Sequence, residues 1–316
     1  MIQLPGKTAV GISPGKLIIT GEHAVVYGQP AIAIPFPLVK VTAQIEAYTK
    51  GIWLESKFYE GPISKVPEKL LGIAACIKET LKKLENPQAE LLIRIDSTIP
   101  LGRGLGSSAA IASALVKALF NYFGYNWKDQ ELMELVHLAE VFAHGNPSGI
   151  DMNAVTNSNP IIFQKKQPVK TLQVGGSFHF VIADTGRIGD THAAVGSIKE
   201  KFDQNSRETY QSLLQLGSIT RTSEIALQKG DIKSLGNAMN SAQIELQRLG
   251  VSDQGIDQLV QASMSLGAIG AKLTGAGRGG CIIALAENTH QATMIADSLF
   301  TKFNCTTWQH AIHKSN

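Results

Sequence analysis

One stretch constrains this chain more than any other: Pro100 to Ala110, PLGRGLGSSAA, set between an extended run (Glu90 to Ile99) and an apolar helical run (Ala109 to Phe123). Its glycines (Gly102, Gly104, Gly106) and serines (Ser107, Ser108) therefore fall on a strand-to-helix loop. A helix start presents unpaired backbone N–H groups and the positive end of the helix dipole, and glycine lets an anion approach the backbone closely. The guest implied is a phosphate. The helix that follows is apolar nearly all round (Ile111, Ala114, Leu115, Ala118, Leu119) and stops at Gly124, which predicts a buried central helix.

The elements around it are read from their periods. Val39, Val41, Ala43, Ile45 and Ala47 alternate with polar residues, a strand with one wet face. Shorter strands are predicted around Lys16 to Thr20 and Ala31 to Ile34, and a helix over Glu68 to Leu84. A second helix is expected from Lys128 to Ala143, with Asn126 as its N-cap. On it Glu140 flanks the stripe Leu132, Val136, Ala139, so its carboxylate is not simply solvated. Two strands follow (PIIF, then FHFVIA), and helices near Thr191 to Phe202, Ser206 to Gln228, Asp231 to Leu249 and Asp253 to Leu266. The glycine loop of KLTGAGRGGCIIAL then leads into a strand, a helix near His290 to Phe303 and a last strand near Thr306 to Ile312. At 316 residues the chain exceeds what one core usually holds. A boundary near residue 176 divides a strand-rich domain, 1–176, from a helix-rich one, 177–316.

Composition narrows the function by exclusion. The net charge is only +3 and the basic residues form no stripe, which argues against nucleic-acid binding. No run reaches the ~18 apolar residues of a membrane span and no signal-peptide core is seen, so no membrane association is expected. Three cysteines, Cys76, Cys281 and Cys305, without a CxxC spacing, fit a reducing compartment. The expected location is cytoplasmic.

Four glycine-bearing segments stand out: SPGKLIITGEHAVVYG (Ser13 to Gly28), PLGRGLGSSAA, HGNPSGID (His144 to Asp151) and KLTGAGRGG (Lys272 to Gly280). Neither familiar nucleotide motif is present. Leu17 follows Gly15 and Lys16 where a Walker A loop needs Ser or Thr, and the spacing of Gly102, Gly104 and Gly106 breaks the dinucleotide fingerprint. The set resembles the GHMP kinases, whose three signature motifs are similar to SPGKLIITGEHAVVYG, PLGRGLGSSAA and KLTGAGRGGC. Within them it is most similar to the mevalonate kinase family, on GEHAVVYG, Glu140 with HGNPSGID, IADTGRIGDT and LGVSDQGIDQLV leading into GAIGAKLTGAG.

The resemblance implies a two-domain α+β fold, an N-terminal mixed α/β domain and C-terminal helices packed on an antiparallel sheet, with the active site in the cleft between them. It implies ATP as co-substrate, Mg²⁺ as cofactor, and phosphorylation of the 5-hydroxyl of (R)-mevalonate. Pro100, Gly102, Arg103, Gly104, Leu105, Gly106, Ser107, Ser108, Ala109 and Ala110 would bind ATP. Ser108 and Glu140 would hold the metal, which needs few protein ligands. Asp151 would be the catalytic base and Lys16 its electrostatic partner, both also touching substrate together with Glu22, His23 and Thr274. A homodimer is the family's habit. Each residue also has a plainer reading: Asp151 as a helix cap, Lys16 as a solvated strand end, His23 as a satisfied buried histidine, Thr274 as structural. Arg278 replaces a glycine of the third motif, so its side chain either points to solvent or adds a phosphate contact. Two other functions stay open, a GHMP kinase for phosphomevalonate, homoserine or a sugar, and a non-catalytic ATP or metabolite sensor.

Overall fold

The computed structural model describes residues 7–145, 147–189 and 191–315, with side chains at all of them except Ala143, His144, Thr191 and His192. Asn146, Asp190 and the side chain of His144, which belong to the segments singled out above, thus lie outside the described residues. The chain packs into two compact units that interleave in sequence. The first is Met1–Lys16, Pro35–Pro100 and Gly106–Ser158, and the second is Leu17–Ile34, Leu101–Leu105 and Asn159–Asn316.

The elements that open the chain are β1 (Thr8–Thr20), β2 (Ala31–Ala47), β3 (Ile52–Ser56), β4 (Tyr59–Pro62), α1 (Leu71–Lys83), β5 (Leu91–Ser97), α2 (Ser107–Phe123), α3 (Asp129–His144) and α4 (Ile150–Thr156). β2 is one strand where the sequence suggested two. Its last part pairs antiparallel with β5, from Val41 opposite Ser97 to Ala47 opposite Leu91, and its first part pairs with β6 (Ile161–Phe163) over Ala31 to Ala33. Pro35 and Pro37 fall between the stretches that pair with β6 and with β5, and β2, which also pairs with β1, runs through both prolines without a break. Within the first unit β3 runs parallel to β5 and forms a hairpin with β4. Helices α1, α2 and α3 pack on one another. α2 is buried as expected, with Ala110, Ala114, Leu115, Ala118, Leu119 and Phe120 fully inaccessible and Gly124 as its left-handed C-cap. α3 does not use Asn126 as its cap. It starts one position later than predicted, and the Glu131 carboxylate in its first turn accepts the Lys128 N–H at 2.9 Å, so the acid of the first turn does what a cap side chain does elsewhere.

The second unit continues with β7 (Lys170–Thr171), β8 (Phe178–Asp184), α5 (Thr191–Gln204), α6 (Ser206–Lys229), α7 (Ile232–Arg248), α8 (Gln254–Ser265), β9 (Gly270–Thr274), β10 (Cys281–Ala286), α9 (Thr289–Phe303) and β11 (Thr307–Ile312). A four-stranded antiparallel sheet in the order β11-β8-β10-β9 carries α7 against β9, α8 against β9 and β10, and α9 against β8, β10 and β11. Val181, Ala183, Ile282, Ala284 and Leu273 of the sheet meet Leu213, Leu216, Leu246, Ile256, Ile295 and Leu299 of the helices in one core. The helix starts follow the capping rule: Asn205, Asp231, Asp253 and Asn288 each accept a backbone N–H three residues on. β9 escapes the sequence reading because every residue in it is buried, lysine included, so no polar–apolar alternation marks it.

Candidate active site

Two clusters of the predicted residues form, one in each unit. In the first, α2 begins at Ser107 from a left-handed Gly106 (φ 76°). A side chain at Gly106 would place Cβ 2.8 Å from Lys16 Cγ, so glycine lets the lysine pass over the start of the helix. Lys16, on β1, is 2% exposed and reaches Asp151 Oδ1 at 3.0 Å. Asp151 stands in the first turn of α4, after a left-handed Gly149, and the Ser13 hydroxyl donates to Val155 O at 3.2 Å to tie β1 to the same helix. Lys16 and Asp151 are therefore an ion pair, with the lysine buried and the aspartate open enough to meet a small molecule.

Beside them the Ser108 hydroxyl donates to Glu140 Oε1, joining α2 to α3. Burial, reinforced by the negative charge of Asp151, pushes the Glu140 carboxyl up to about 7, against the opposing pull of the Ser108 hydrogen bond and the Lys16 charge. The Ser107 hydroxyl oxygen is buried with no hydrogen-bond partner among the described residues. An unpaired buried hydroxyl at a helix start is a vacant polar contact for a ligand. Among the described residues no group of three His, Cys, Asp or Glu side chains is arranged to hold a metal. Ala109 and Ala110 are buried in α2 and offer their backbone alone.

The second cluster lies in the other unit. Leu101 to Leu105 packs against the KLTGAGRGG loop: a Cβ on Gly104 would sit 2.9 Å from Gly275 Cα, and the Gly189 N–H donates to Gly102 O at 2.6 Å. Arg103 pairs through Nε with Asp184 Oδ1 at 2.6 Å. Thr274 is 1% exposed, and its hydroxyl both donates to Ile18 O and accepts the Ile18 N–H, each at 3.0 Å. It thus pins the end of β1 to β9. Glu22 makes a fully buried ion pair with Lys272, whose ammonium also donates to Leu273 O. Arg278 is exposed, and its guanidinium also donates to Gly250 O at 3.1 Å and to Ser197 Oγ, which braces the loop it stands on.

His23 has a positive φ of 60° and is held by its Nε2, which lies 2.9 Å from Ala276 O. Burial pushes its pKa down to about 4, with the Ala276 carbonyl opposing and the Lys272 charge adding to the fall. The neutral ring thus donates from Nε2 and leaves Nδ1 as an acceptor. The unfolded chain protonates this histidine near pH 6.5 and the folded one near 4, so the unfolded state binds more protons between those values. Stability is full above pH 6.5 and falls by up to about 3 kcal/mol as pH drops to 4. His23→Asn, which tolerates a positive φ, should show a flatter melting temperature across pH 4 to 7. Equal slopes for both proteins would remove His23 as the cause.

Comparison with known proteins bears on these clusters. The model of the GHMP kinases N terminal domain matches residues 70–158, and that of the GHMP kinases C terminal matches residues 223–305. A mevalonate kinase of Pyrococcus horikoshii is 34% identical over 313 residues, covering 92% of each chain. The chain belongs to the GHMP kinases. A second relative in this family, a mevalonate kinase of Thermococcus sibiricus, is 32% identical over 300 residues and covers 87% of this chain and 88% of its own. The crystal structure of L. major mevalonate kinase in complex with R-mevalonate superposes with a TM-score of 0.84 at 25% identity, over 100% of this chain and 99% of that one. The family fold is thus the one expected from the three motifs. Two residues that the sequence reading passed over sit beside the expected ones, Lys272 and Asp184. Their signals were faint: each lies within a segment already noticed, KLTGAG and IADTG, and neither has a partner near it in sequence.

Proposed function

We propose that this GHMP kinase is a mevalonate kinase, transferring the γ-phosphoryl group of ATP to the 5-hydroxyl of (R)-mevalonate. The observation that carries the reading is the contact between buried Lys16 and Asp151 at the start of α2, in a chain whose relatives of matching length are mevalonate kinases. Asp151 takes the hydroxyl proton as the acceptor oxygen bonds to phosphorus. The bond from the γ-phosphorus to the bridging oxygen breaks, and its electron pair leaves with ADP. Lys16 offsets the charge on the acceptor oxygen, and the N–H groups that open α2, with Ser107 and Ser108, receive phosphate oxygens. Glu22 and His23 recognise the acceptor, and Thr274 serves by holding the end of β1.

Mg²⁺ is the proposed cofactor. Ser108 and Glu140 fit it, as a hydroxyl and a carboxylate already in contact supply the hard oxygen donors it prefers. Bound there, it would neutralise charge on the phosphates. Glu140→Gln should weaken binding of Mg²⁺-ATP but leave free ATP unaffected, measured by titration with and without the metal. Equal losses for both would count against metal ligation. A homodimer and a cytoplasmic location are proposed with it, and a division near residue 176 is proposed for the family's N- and C-terminal domains, whose models fall on either side of it, as distinct from the interleaved compact units.

An ADP-release assay across mevalonate, phosphomevalonate, homoserine and galactose tests the function. Mevalonate should give the highest kcat/KM of the four. Faster turnover of any other acceptor overturns the assignment of substrate, and no ADP release with any acceptor overturns the assignment as a kinase.

A further inference from the structure

The glycine loop Leu101–Leu105 has one polar side chain, that of Arg103, beside two other anchors, the buried Leu105 and the Gly189 N–H that donates to Gly102 O. Gly102 and Gly104 have positive φ (65° and 73°), Leu101 is exposed and apolar, and Leu105 is buried in the core. Glycine is the residue with most freedom to lose on ordering, so a loop with this composition depends on outside contacts for its shape. Arg103 supplies the charged contact among these, and its guanidinium works on both sides. Nη1 donates to Leu101 O at 3.3 Å, within the loop, while Nε donates to Asp184 Oδ1 at 2.6 Å, outside it. The two side chains are 14% and 10% exposed, so solvent screens the pair weakly.

Asp184 is well placed to be the fixed end. It is the last residue of β8, paired in register with Cys281 of β10, and its N–H donates to Thr306 O at 2.9 Å. The oxygen that holds Arg103 also accepts the Gly186 N–H at 2.9 Å. Thr185 next to it donates from both its N–H and its hydroxyl to Gly280 O, at 2.9 and 2.8 Å, in the other glycine loop. One carboxylate at the end of an inner strand, paired on both sides, thus holds the first glycine loop from a point already tied to the second.

We propose that Asp184 and Arg103 are positioning residues: their ion pair fixes residues Leu101–Leu105 in the shape that receives the phosphates of ATP, and sets the affinity for the nucleotide rather than the rate of transfer. The inference rests on the reading of this loop as the ATP phosphate loop. A loop held in its bound shape before the ligand arrives loses less entropy on binding. Releasing it moves that cost onto ATP binding and leaves the reacting groups around Asp151 as they were.

The test is steady-state kinetics on the whole enzyme with Asp184→Asn, Arg103→Ala and the double variant, melting temperatures being followed in parallel. Each single variant should raise KM for ATP about tenfold with kcat and KM for mevalonate within about twofold, and the double variant should be no worse than either single one. Arg103→Gln, read the same way, replaces any variant that does not fold. An unchanged KM for ATP in Asp184→Asn overturns the proposal. So does a lower one, because that result makes Arg103 a direct phosphate ligand that Asp184 restrains. Multiplying losses in the double variant would mean that the two residues act separately, and would also overturn it. Gly106→Ala separates this inference from the reading beneath it. If Gly106→Ala weakens ATP binding while Asp184→Asn does not, only the ion pair's role falls; if folded Gly106→Ala binds ATP as the parent does, the loop assignment falls.

Discussion

Asp151→Ala is expected to lower kcat about a thousandfold, the middle of what general base catalysis contributes, while ATP binding stays close to that of the parent. The reasoning is geometric. Asp151 Oδ1 lies 3.0 Å from Lys16 Nζ, and about a third of its side chain is open to solvent at 34%, whereas the lysine is 2% exposed. The aspartate is thus the member of the pair that an incoming hydroxyl meets, and the lysine is held behind it. Removing the carboxylate also leaves the Lys16 ammonium buried without this counter-charge, so the melting temperature of the alanine variant should fall. Asp151→Asn preserves the size and a polar contact, which makes it the cleaner probe of the proton transfer. If either variant, folded, kept more than about a tenth of kcat, a barrier change below ~1.4 kcal/mol, Asp151 would not be an essential base.

The second large effect concerns stability. Lys272→Met should destabilise the protein by about 3–5 kcal/mol, a sizeable part of the total for a domain of this kind. Lys272 and Glu22 are 0% and 2% exposed, so the methionine leaves a carboxylate in the interior without the ammonium that faces it. The cost arises from that remaining charge rather than from the attraction lost. Lys272→Met combined with Glu22→Gln should therefore recover much of the stability, since neither charge then needs a partner. Urea unfolding of the three proteins, compared at constant slope, measures this. A single variant within about 1 kcal/mol of the parent would show that Glu22 is neutralised by other means. The same pair adjoins His23, and the Lys272 charge is one reason the histidine stays neutral, so the acid sensitivity described above should also diminish in Lys272→Met.

Residues at the ends of predicted elements were legible in the sequence, and those buried by distant partners were not. Lys16, Ser108, Glu140 and Asp151 each stand beside a glycine motif or on the flank of an apolar stripe, and the structure brings Lys16 to Asp151 and Ser108 to Glu140. Most helices were readable as well, because period and cap coincide: Asp231 and Asp253 mark their helices both by position and by the N–H each accepts. Lys272 and Asp184 gave no comparable signal. A lysine in a short strand looks like a wet position until Glu22, 250 residues away, is seen beside it. The prolines of β2 misled for a related reason: a proline lacks the N–H of a ladder but still adopts extended backbone, and sequence does not reveal whether its neighbours on either side belong to one strand.

The threading of β2 through both units has a consequence for how the chain acquires its fold. Ala24 belongs to the core of the second unit, and Ala31 to Ala33 pair with β6, yet both precede nearly all of the first unit in sequence. During synthesis from the N-terminus these residues emerge early and wait for a partner more than a hundred residues behind them. Folding is therefore dominated by contacts far apart along the chain, which slows it and keeps an unpaired strand edge exposed while the ribosome completes the rest. For the same reason neither half of the gene, expressed alone, encodes a complete core.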